Sequence, residues 1–166
     1  LKMLTKEQEQ YRKLVLNPIS FKAGLFAKLP LAGVADCRMT ELNETTCKIT
    51  VPYRFLNKNP FDTTYWAVLG MAAEMAGGAL LLMYIHKSNP SVSTFVTGLS
   101  SKFIKTATGL TTFVCEEGLM IRERVQKAIE TGEPDAFNVK SIGYDKHGNI
   151  TSEFIFEWSI KARKKK

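Results

Sequence analysis

The chain has 166 residues, of which 45% are hydrophobic and 23% are charged. This size and composition are typical of one soluble globular domain with a substantial core, so we expect a single domain over residues 1–166. The sequence does not begin with a charged leader followed by a short apolar stretch and a cleavage site. We therefore expect no secretory signal and a cytoplasmic location.

The formal net charge of +7 is concentrated at the C-terminus. Five of the six residues in 161–166 are basic, which leaves a charge of 7 − 5 = +2 for the rest of the chain. Such a run is typical of a solvated basic tail. Since no RNA-binding aromatic motif or recognition helix accompanies it, we expect no nucleic-acid partner.

The cysteines do not have the spacing of a metal site or a disulfide framework. There are three, Cys37, Cys47 and Cys115, none in a Cys-x-x-Cys motif, and each has apolar, strand-like neighbours. We expect free thiols that pack as small hydrophobic groups, and no bound metal. A catalytic cysteine would need His86 or His147 as its base, which we consider the weaker interpretation.

The N-terminal segment, residues 1–30, is predicted to be helical. Thr5 and Gln8 have the spacing of a capping box, which predicts a first helix over 5–16. Pro18 follows an asparagine and starts a second helix that runs toward residue 28. Pro30 is predicted to end it.

Two short strands and a long apolar run follow. Residues 34–41 and 45–53 are predicted to form a hairpin through a connection at 42–44. The run over 65–85 then carries one charge, Glu74, near its middle. We expect a helix here, capped in its first turn by Asp62, Thr63 or Thr64.

This run is long enough to cross a bilayer, but a core helix is the preferred interpretation. A carboxylate at the centre of a membrane helix costs roughly 2.5–3.5 kcal/mol, and the flanking segments have the pattern of soluble strands. We therefore expect no membrane span. A helix that is apolar all round is predicted to be buried all round, within a sheet that curls about it.

The remaining chain supplies strands and one more helix. An amphipathic pattern predicts a short inserted helix over 119–130. β-Branched and aromatic residues predict strands over 91–106, 110–116, 136–144 and 150–160. The fold class is therefore α+β, with about six antiparallel strands around one long helix.

This order of elements resembles the hotdog fold, and Asn59, Tyr65 and Glu74 carry the resemblance further. Their spacing is similar to that of thioesterases of the phenylacetate-degradation type, or of a related hotdog branch of unassigned function. In those enzymes an Asn precedes a His-Gly-Gly motif and an acid lies on the helix. Here Tyr65 stands at the His position, with Trp66 and Ala67 at the two Gly positions.

The resemblance implies a site of five residues. Glu74 is expected to be the general base or nucleophile, with a pKa raised by burial, and Asn59 to orient the attacking water or hold the thioester oxygen. Tyr65, Trp66 and Ala67 are expected to contact the substrate at the helix N-terminus, where free amides stabilise an oxyanion. A buried, paired acid at Glu74 and a turn-forming role for Asn59 remain alternatives.

The resemblance also implies the substrate and the assembly. The expected substrate is acyl-CoA or another acyl thioester, with no other cofactor, and Arg54, Lys58, Lys102 and Lys105 are candidates for its phosphates. Because an indole replaces a glycine at Trp66, a non-catalytic acyl- or lipid-binding module is the alternative function. Relatives join two sheets, so we expect a homodimer or a dimer of dimers with the site near the interface.

Overall fold

A computed structural model of the protein describes residues 4–163. The first three residues and the last three residues of the predicted basic tail lie outside this range. The described chain forms five α-helices and six β-strands, with a short 3-10 helix at Phe55–Asn57. In chain order these are α1 (Lys6–Leu16), α2 (Pro18–Lys28), α3 (Pro30–Val34), β1 (Arg38–Leu42), β2 (Cys47–Val51), α4 (Trp66–Ile85), β3 (Val92–Phe103), β4 (Thr111–Cys115), α5 (Gly118–Thr131), β5 (Asp135–Tyr144) and β6 (Ile150–Ala162).

The six strands form one antiparallel sheet in the order β1-β2-β4-β5-β6-β3. Helix α4 packs against β2, β4, β5 and β6, while α1, α3 and α5 contact α4 from other sides. The core lies between this helix and the sheet, and its largest fully buried side chains include Phe113, Phe154 and Leu80. The predicted sheet around one long helix is confirmed.

The N-terminal helices begin as their capping residues predict. The Thr5 hydroxyl accepts a hydrogen bond from the amide of Gln8, and the Gln8 side chain accepts one from the Thr5 amide. The Asn17 side chain caps α2. The second helix ends at Lys28, just before Pro30, as predicted. The third helix, α3, was not predicted, and Pro30 occupies its first turn, where the missing amide proton costs nothing. The first strand consequently begins at Arg38 and not at residue 34.

Helix α4 has the predicted length, but its cap and its burial differ from the prediction. The N-cap is Tyr65, and it makes no side-chain cap hydrogen bond. Twelve of the 20 helix residues are buried. An exposed stripe that includes Glu74 and Leu82 faces the N-terminal helices, and Trp66 is exposed at the start of the helix. The helix is long and apolar enough to cross a membrane, yet 67% of the apolar segment is buried in the fold, as in the core helix of a soluble protein.

The last strand continues into the segment predicted as a solvated tail. Lys161 and Ala162 belong to β6, and Ala162 pairs with Val92 of β3. The reason is that the alternation of the strand continues, since Ala162 is buried and Lys161 is exposed. The tail prediction is therefore wrong for these two residues.

Candidate functional site

The loop before α4 is organised by two asparagine side chains. The buried Asn57, with 1% of its surface exposed, donates hydrogen bonds to the carbonyl oxygens of Ala35 at 2.9 Å and Pro52 at 2.8 Å. The backbone carbonyl oxygen of Asn57 accepts a hydrogen bond from the Tyr65 amide at 2.8 Å. Asn57 therefore connects the end of α3, the end of β2 and the N-cap of α4.

Asn59 closes the next turn of the same loop. Its side-chain oxygen accepts hydrogen bonds from the amides of Phe61 and Thr63, at 2.9 and 3.2 Å, and its Nδ2 donates to Thr63 Oγ1 at 2.7 Å. Asp62 has a positive φ of 55° within this turn. The turn-forming role that the sequence left open for Asn59 is therefore present in the structure.

The N-terminus of α4 presents free donors beside a small cavity. The amides of Trp66 and Ala67 have no hydrogen-bond acceptor among residues 4–163, as expected in the first turn of a helix. The adjoining cavity measures about 310 Å³ and is lined by Asn59, Thr64 and Trp66, among others. Thr64 is 4% exposed, and its buried hydroxyl has no partner within the described chain. These groups place free hydrogen-bond donors where they can bind an oxygen atom of a ligand.

Glu74 lies in a different environment from the one predicted. The residue is exposed along one side, so the prediction of an enclosed side chain is wrong, because the stripe that carries it is not covered by the sheet. The apolar neighbours still raise the pKa of the carboxyl by desolvation. No cation or hydrogen-bond donor contacts it within residues 4–163, so the alternative of a buried, paired acid finds no support in this part of the chain.

The predicted site residues do not all meet in one chain. Asn59 and Trp66 line the small cavity, whereas Glu74 lines a second cavity of about 800 Å³ between α4 and the N-terminal helices. Eight residues separate Trp66 from Glu74, which corresponds to about 12 Å along the helix axis. Tyr65 and Ala67 line neither cavity. The Tyr65 ring packs edge-on against Trp66 at 5.8 Å.

Three of the four basic side chains suggested for phosphate binding already have partners. Lys105 pairs with Asp145 at 2.7 Å and Lys58 with Asp62 at 3.5 Å. Arg54 donates to the Val34 carbonyl oxygen. Lys102 is exposed and makes no ion pair with another residue of the 4–163 segment.

The cysteines are buried free thiols, as predicted. Burial raises the pKa of Cys37 and of Cys115 to about 12 and raises that of Cys47 further. A thiolate is the nucleophilic form of cysteine, so these thiols are poor nucleophiles. Among residues 4–163 no group of three or more His, Cys, Asp or Glu side chains is placed to hold a metal ion.

Two features of the site were missed in the sequence. Asn57 carries no motif, and its role depends on contacts with residues 22 and 5 positions earlier. Trp158 lies within the strand predicted over 150–160, but that prediction does not indicate its contribution to the wall of the large cavity. The alternation of apolar and polar residues along β6 indicates that Trp158 is buried, but it does not indicate which residues the indole contacts.

The family and the fold follow from comparison with known proteins. The sequence profile of the DUF4442 family, a domain of unknown function, matches residues 19–160. No curated protein matches the sequence significantly. A Pseudomonas aeruginosa protein of unknown function, described as a "Probable Thioesterase", is 20% identical; the match covers 88% of this chain and 97% of that protein, with a TM-score of 0.74.

Two further solved structures support the same fold. A thioesterase from Haemophilus influenzae is 12% identical, covers 95% of this chain and 92% of its own, and gives a TM-score of 0.59. A mutant thioesterase from Pseudomonas aeruginosa is 12% identical. The match covers 97% of this chain and 98% of that protein, with a TM-score of 0.63. At these identities the similarity establishes the hotdog fold, as predicted, and does not transfer an activity.

Proposed function

The chain belongs to the DUF4442 family, a domain of unknown function, and we propose that it is an acyl-CoA thioesterase that uses the Glu74 carboxylate. The observation that carries this proposal is an unpaired carboxylate with a raised pKa on the same helix as free N-terminal amides. Thioester hydrolysis needs both elements, a base or nucleophile and donors for the developing oxyanion.

The oxyanion is assigned to the N-terminus of α4. The Trp66 and Ala67 amides point their unpaired hydrogens away from the helix, and the positive end of the helix dipole adds to their effect. The unpartnered Thr64 hydroxyl lies beside the same cavity. Asn59 is assigned a positioning role, since its side chain already holds the loop that leads to these donors.

Glu74 is assigned the activation of water or direct attack on the carbonyl carbon. Desolvation shifts the pKa of its carboxyl upward, toward the working pH of a general base. Without a cation or donor from residues 4–163 to stabilise it, the carboxylate remains available for a proton. Burial raises the pKa of the three cysteine thiols, so none of them offers a comparable base.

A complete site requires two chains. A carbonyl carbon attacked by water from Glu74 must lie within about 3 Å of the oxyanion donors, but along one helix the two groups are about 12 Å apart. Strand β3 is an edge strand that exposes Phe95, Leu99 and Phe103. Such an edge favours pairing with another chain. A homodimer in which Glu74 of one chain faces the α4 N-terminus of the other satisfies both requirements.

The non-catalytic alternative has one observation in its favour. Trp66 is 51% exposed at the position where the resembling enzymes have glycine, so its indole narrows the approach to the amides. In that case the protein would bind acyl thioesters without releasing the thiol. The proposed cytoplasmic location agrees with either function, because acyl-CoA is a soluble intracellular thioester.

Free-thiol release from a panel of acyl-CoAs tests the proposal. We expect hydrolysis by the wild-type protein and a loss of at least about a hundredfold in turnover for Glu74→Gln, typical of a lost general base. Trp66→Pro removes one amide donor, while the Tyr65 backbone, at φ −62° and ψ 134°, already suits a following proline. Loss of a donor lowers turnover about a hundredfold or more.

Trp66→Ala is the matched control for the proline variant. It removes the indole and keeps the amide, so we expect turnover to be retained. Binding of acyl-CoA with no thiol release at any chain length would contradict the proposed reaction and favour the non-catalytic module. Equal loss in Trp66→Ala and Trp66→Pro would contradict the role of the amide.

A further inference from the structure

The large cavity lies between helix α4 and the N-terminal helices, with contributions from β1 and β6 of the sheet. It follows one side of α4 from Met71 past Glu74 to Ile85, and Phe21 and Gly24 of α2 form the facing wall. Its volume of about 800 Å³ lies within the range of roughly 300–1,000 Å³ that small-molecule sites occupy. The N-terminal helices thus cover the stripe of α4 and enclose a cavity that is large enough for a small-molecule ligand.

The walls of this cavity are adaptable and almost wholly apolar around Glu74. Met39, Met71 and Met75 line it, and the unbranched methionine side chain fits irregular apolar ligands. Trp158, which is 8% exposed, lies against Gly78, where an added Cβ would be 3.4 Å from the indole. The absence of a side chain at Gly78 therefore lets the indole approach the helix one turn beyond Glu74.

The apolar part of the cavity has the length of one fatty-acid tail. Eleven residues separate Glu74 from Ile85, which corresponds to about 16 Å along the helix. The hydrocarbon core of a bilayer is roughly 30 Å thick and is two lipid tails deep, so one fatty-acid tail spans about 15 Å. From Ile85 onward the lining includes the polar side chains of Lys28, His86 and Lys87.

We infer that this cavity holds the tail of a long-chain acyl thioester, with the carbonyl near Glu74 and the methyl end near Ile85. The inference rests on the proposed function for the position of the carbonyl. The inference adds the substrate class. Tails long enough to reach Ile85 bind best, whereas short acyl groups leave most of the apolar cavity wall exposed to water. A tail that extends beyond Ile85 gains less, because charged and polar side chains join the lining there.

Equilibrium binding of an acyl-CoA series, measured by calorimetry on Glu74→Gln to prevent turnover, tests the tail length. The series is butyryl-, octanoyl-, dodecanoyl- and hexadecanoyl-CoA. We expect each added pair of methylene groups to tighten binding by up to about fifteenfold, as burial of about 0.8 kcal/mol per methylene implies, with a plateau at the longest chains. An affinity that does not depend on chain length would overturn the inference.

Gly24→Phe tests the location of the tail. A Cβ at Gly24 meets no atom within 4 Å, and replacing a glycine inside α2 favours the helix, so the variant has room to fold. We expect it to weaken binding of dodecanoyl- and hexadecanoyl-CoA at least tenfold and to leave butyryl-CoA unchanged. Ala23→Phe is the matched control, because Ala23 is exposed on the same helix and does not line the cavity.

Three outcomes separate this inference from the proposed reaction. Length-dependent binding that Gly24→Phe abolishes, without thiol release by the wild-type protein, supports the cavity and contradicts the thioesterase. Thiol release with no dependence on tail length supports the reaction and overturns the cavity assignment. A change of molecular mass in Gly24→Phe with unaltered binding would show that a second copy of the chain occupies the space, and would also overturn it.

Discussion

The side-chain amide of Asn59 donates a 2.7 Å hydrogen bond to Thr63 Oγ1, four residues further along the loop. The Asn59 side-chain oxygen accepts from two backbone amides of the same loop. The residue that carried the sequence resemblance to thioesterases is therefore used first to shape the entry to α4. Its influence on catalysis is expected to pass through the position of the Trp66 amide.

We expect Asn59→Ala to destabilise the protein by about 1–2 kcal/mol, because two backbone amides and one hydroxyl lose their partner. Asn59→Asp keeps the oxygen that accepts from Phe61 and Thr63 and should retain most of the stability. Thermal denaturation measures the stability, and thiol release per folded molecule measures activity. A tenfold loss of turnover in Asn59→Asp at unchanged melting temperature would show direct contact with substrate instead.

Asn57 is expected to be more important for stability than Asn59. Asn57→Leu leaves the buried carbonyl oxygens of Ala35 and Pro52 without their donors, a loss of about 2–4 kcal/mol in the free energy of unfolding. Chemical denaturation measures it. The control is Asn138→Leu, at an exposed position of β5 where the side chain makes no hydrogen bond to another residue of the 4–163 segment. Equal stability of the two variants would contradict the role of Asn57.

Two glycines of α4 are expected to respond to alanine with opposite signs. A Cβ at Gly77 would lie 2.7 Å from Val139 Cγ1, so Gly77→Ala should destabilise by roughly 1–3 kcal/mol. A Cβ at Gly70 would lie 3.5 Å from Phe154, an ordinary contact, so Gly70→Ala should stabilise the helix by about 0.5–1 kcal/mol. A double-mutant cycle with Val139→Ala should show favourable coupling to Gly77→Ala; no coupling would contradict the proposed clash.

The raised pKa of Glu74 has a defined effect on stability. The folded state disfavours the charged form, so stability decreases as pH rises from the ordinary value of 4.5 through the higher folded-state pKa. Glu74→Gln should therefore melt at a higher temperature than wild type at neutral pH, with the difference vanishing in acid. Turnover should follow the opposite course and decline as pH falls through the same pKa. A lower melting temperature for Glu74→Gln at neutral pH would reveal a stabilising partner.

Much of the fold could be predicted because its signals are local. The Thr5 and Gln8 capping box, the alternation along β6 and the uniform apolarity of 66–85 each depend on neighbouring residues. The end of α2 before Pro30 was predicted, but α3 was not, because a proline that stops one helix can also begin the next. The end of β6 was misplaced because a run of basic residues conceals an alternation that tertiary pairing with β3 makes visible.

The site was less predictable, since its geometry depends on contacts between distant segments. The spacing of Trp66 and Glu74 gives their separation along the helix, but not which cavity each one lines. Whether Glu74 is covered depends on how far the sheet and α1–α3 reach around α4. The cavity beside Gly24 and Trp158 joins segments more than 130 residues apart, which no periodicity in the sequence can indicate.

Mixed dimers of Glu74→Gln and Trp66→Pro test the central claim that one chain supplies the carboxylate and the other the oxyanion donor. Each variant alone should release thiol from acyl-CoA at no more than about a hundredth of the wild-type rate. Unfolding and refolding the two together in equal amounts should restore about a quarter of wild-type turnover, because half of the dimers are mixed and each has one intact site. A mixture that stays as inactive as its parts would contradict the shared site.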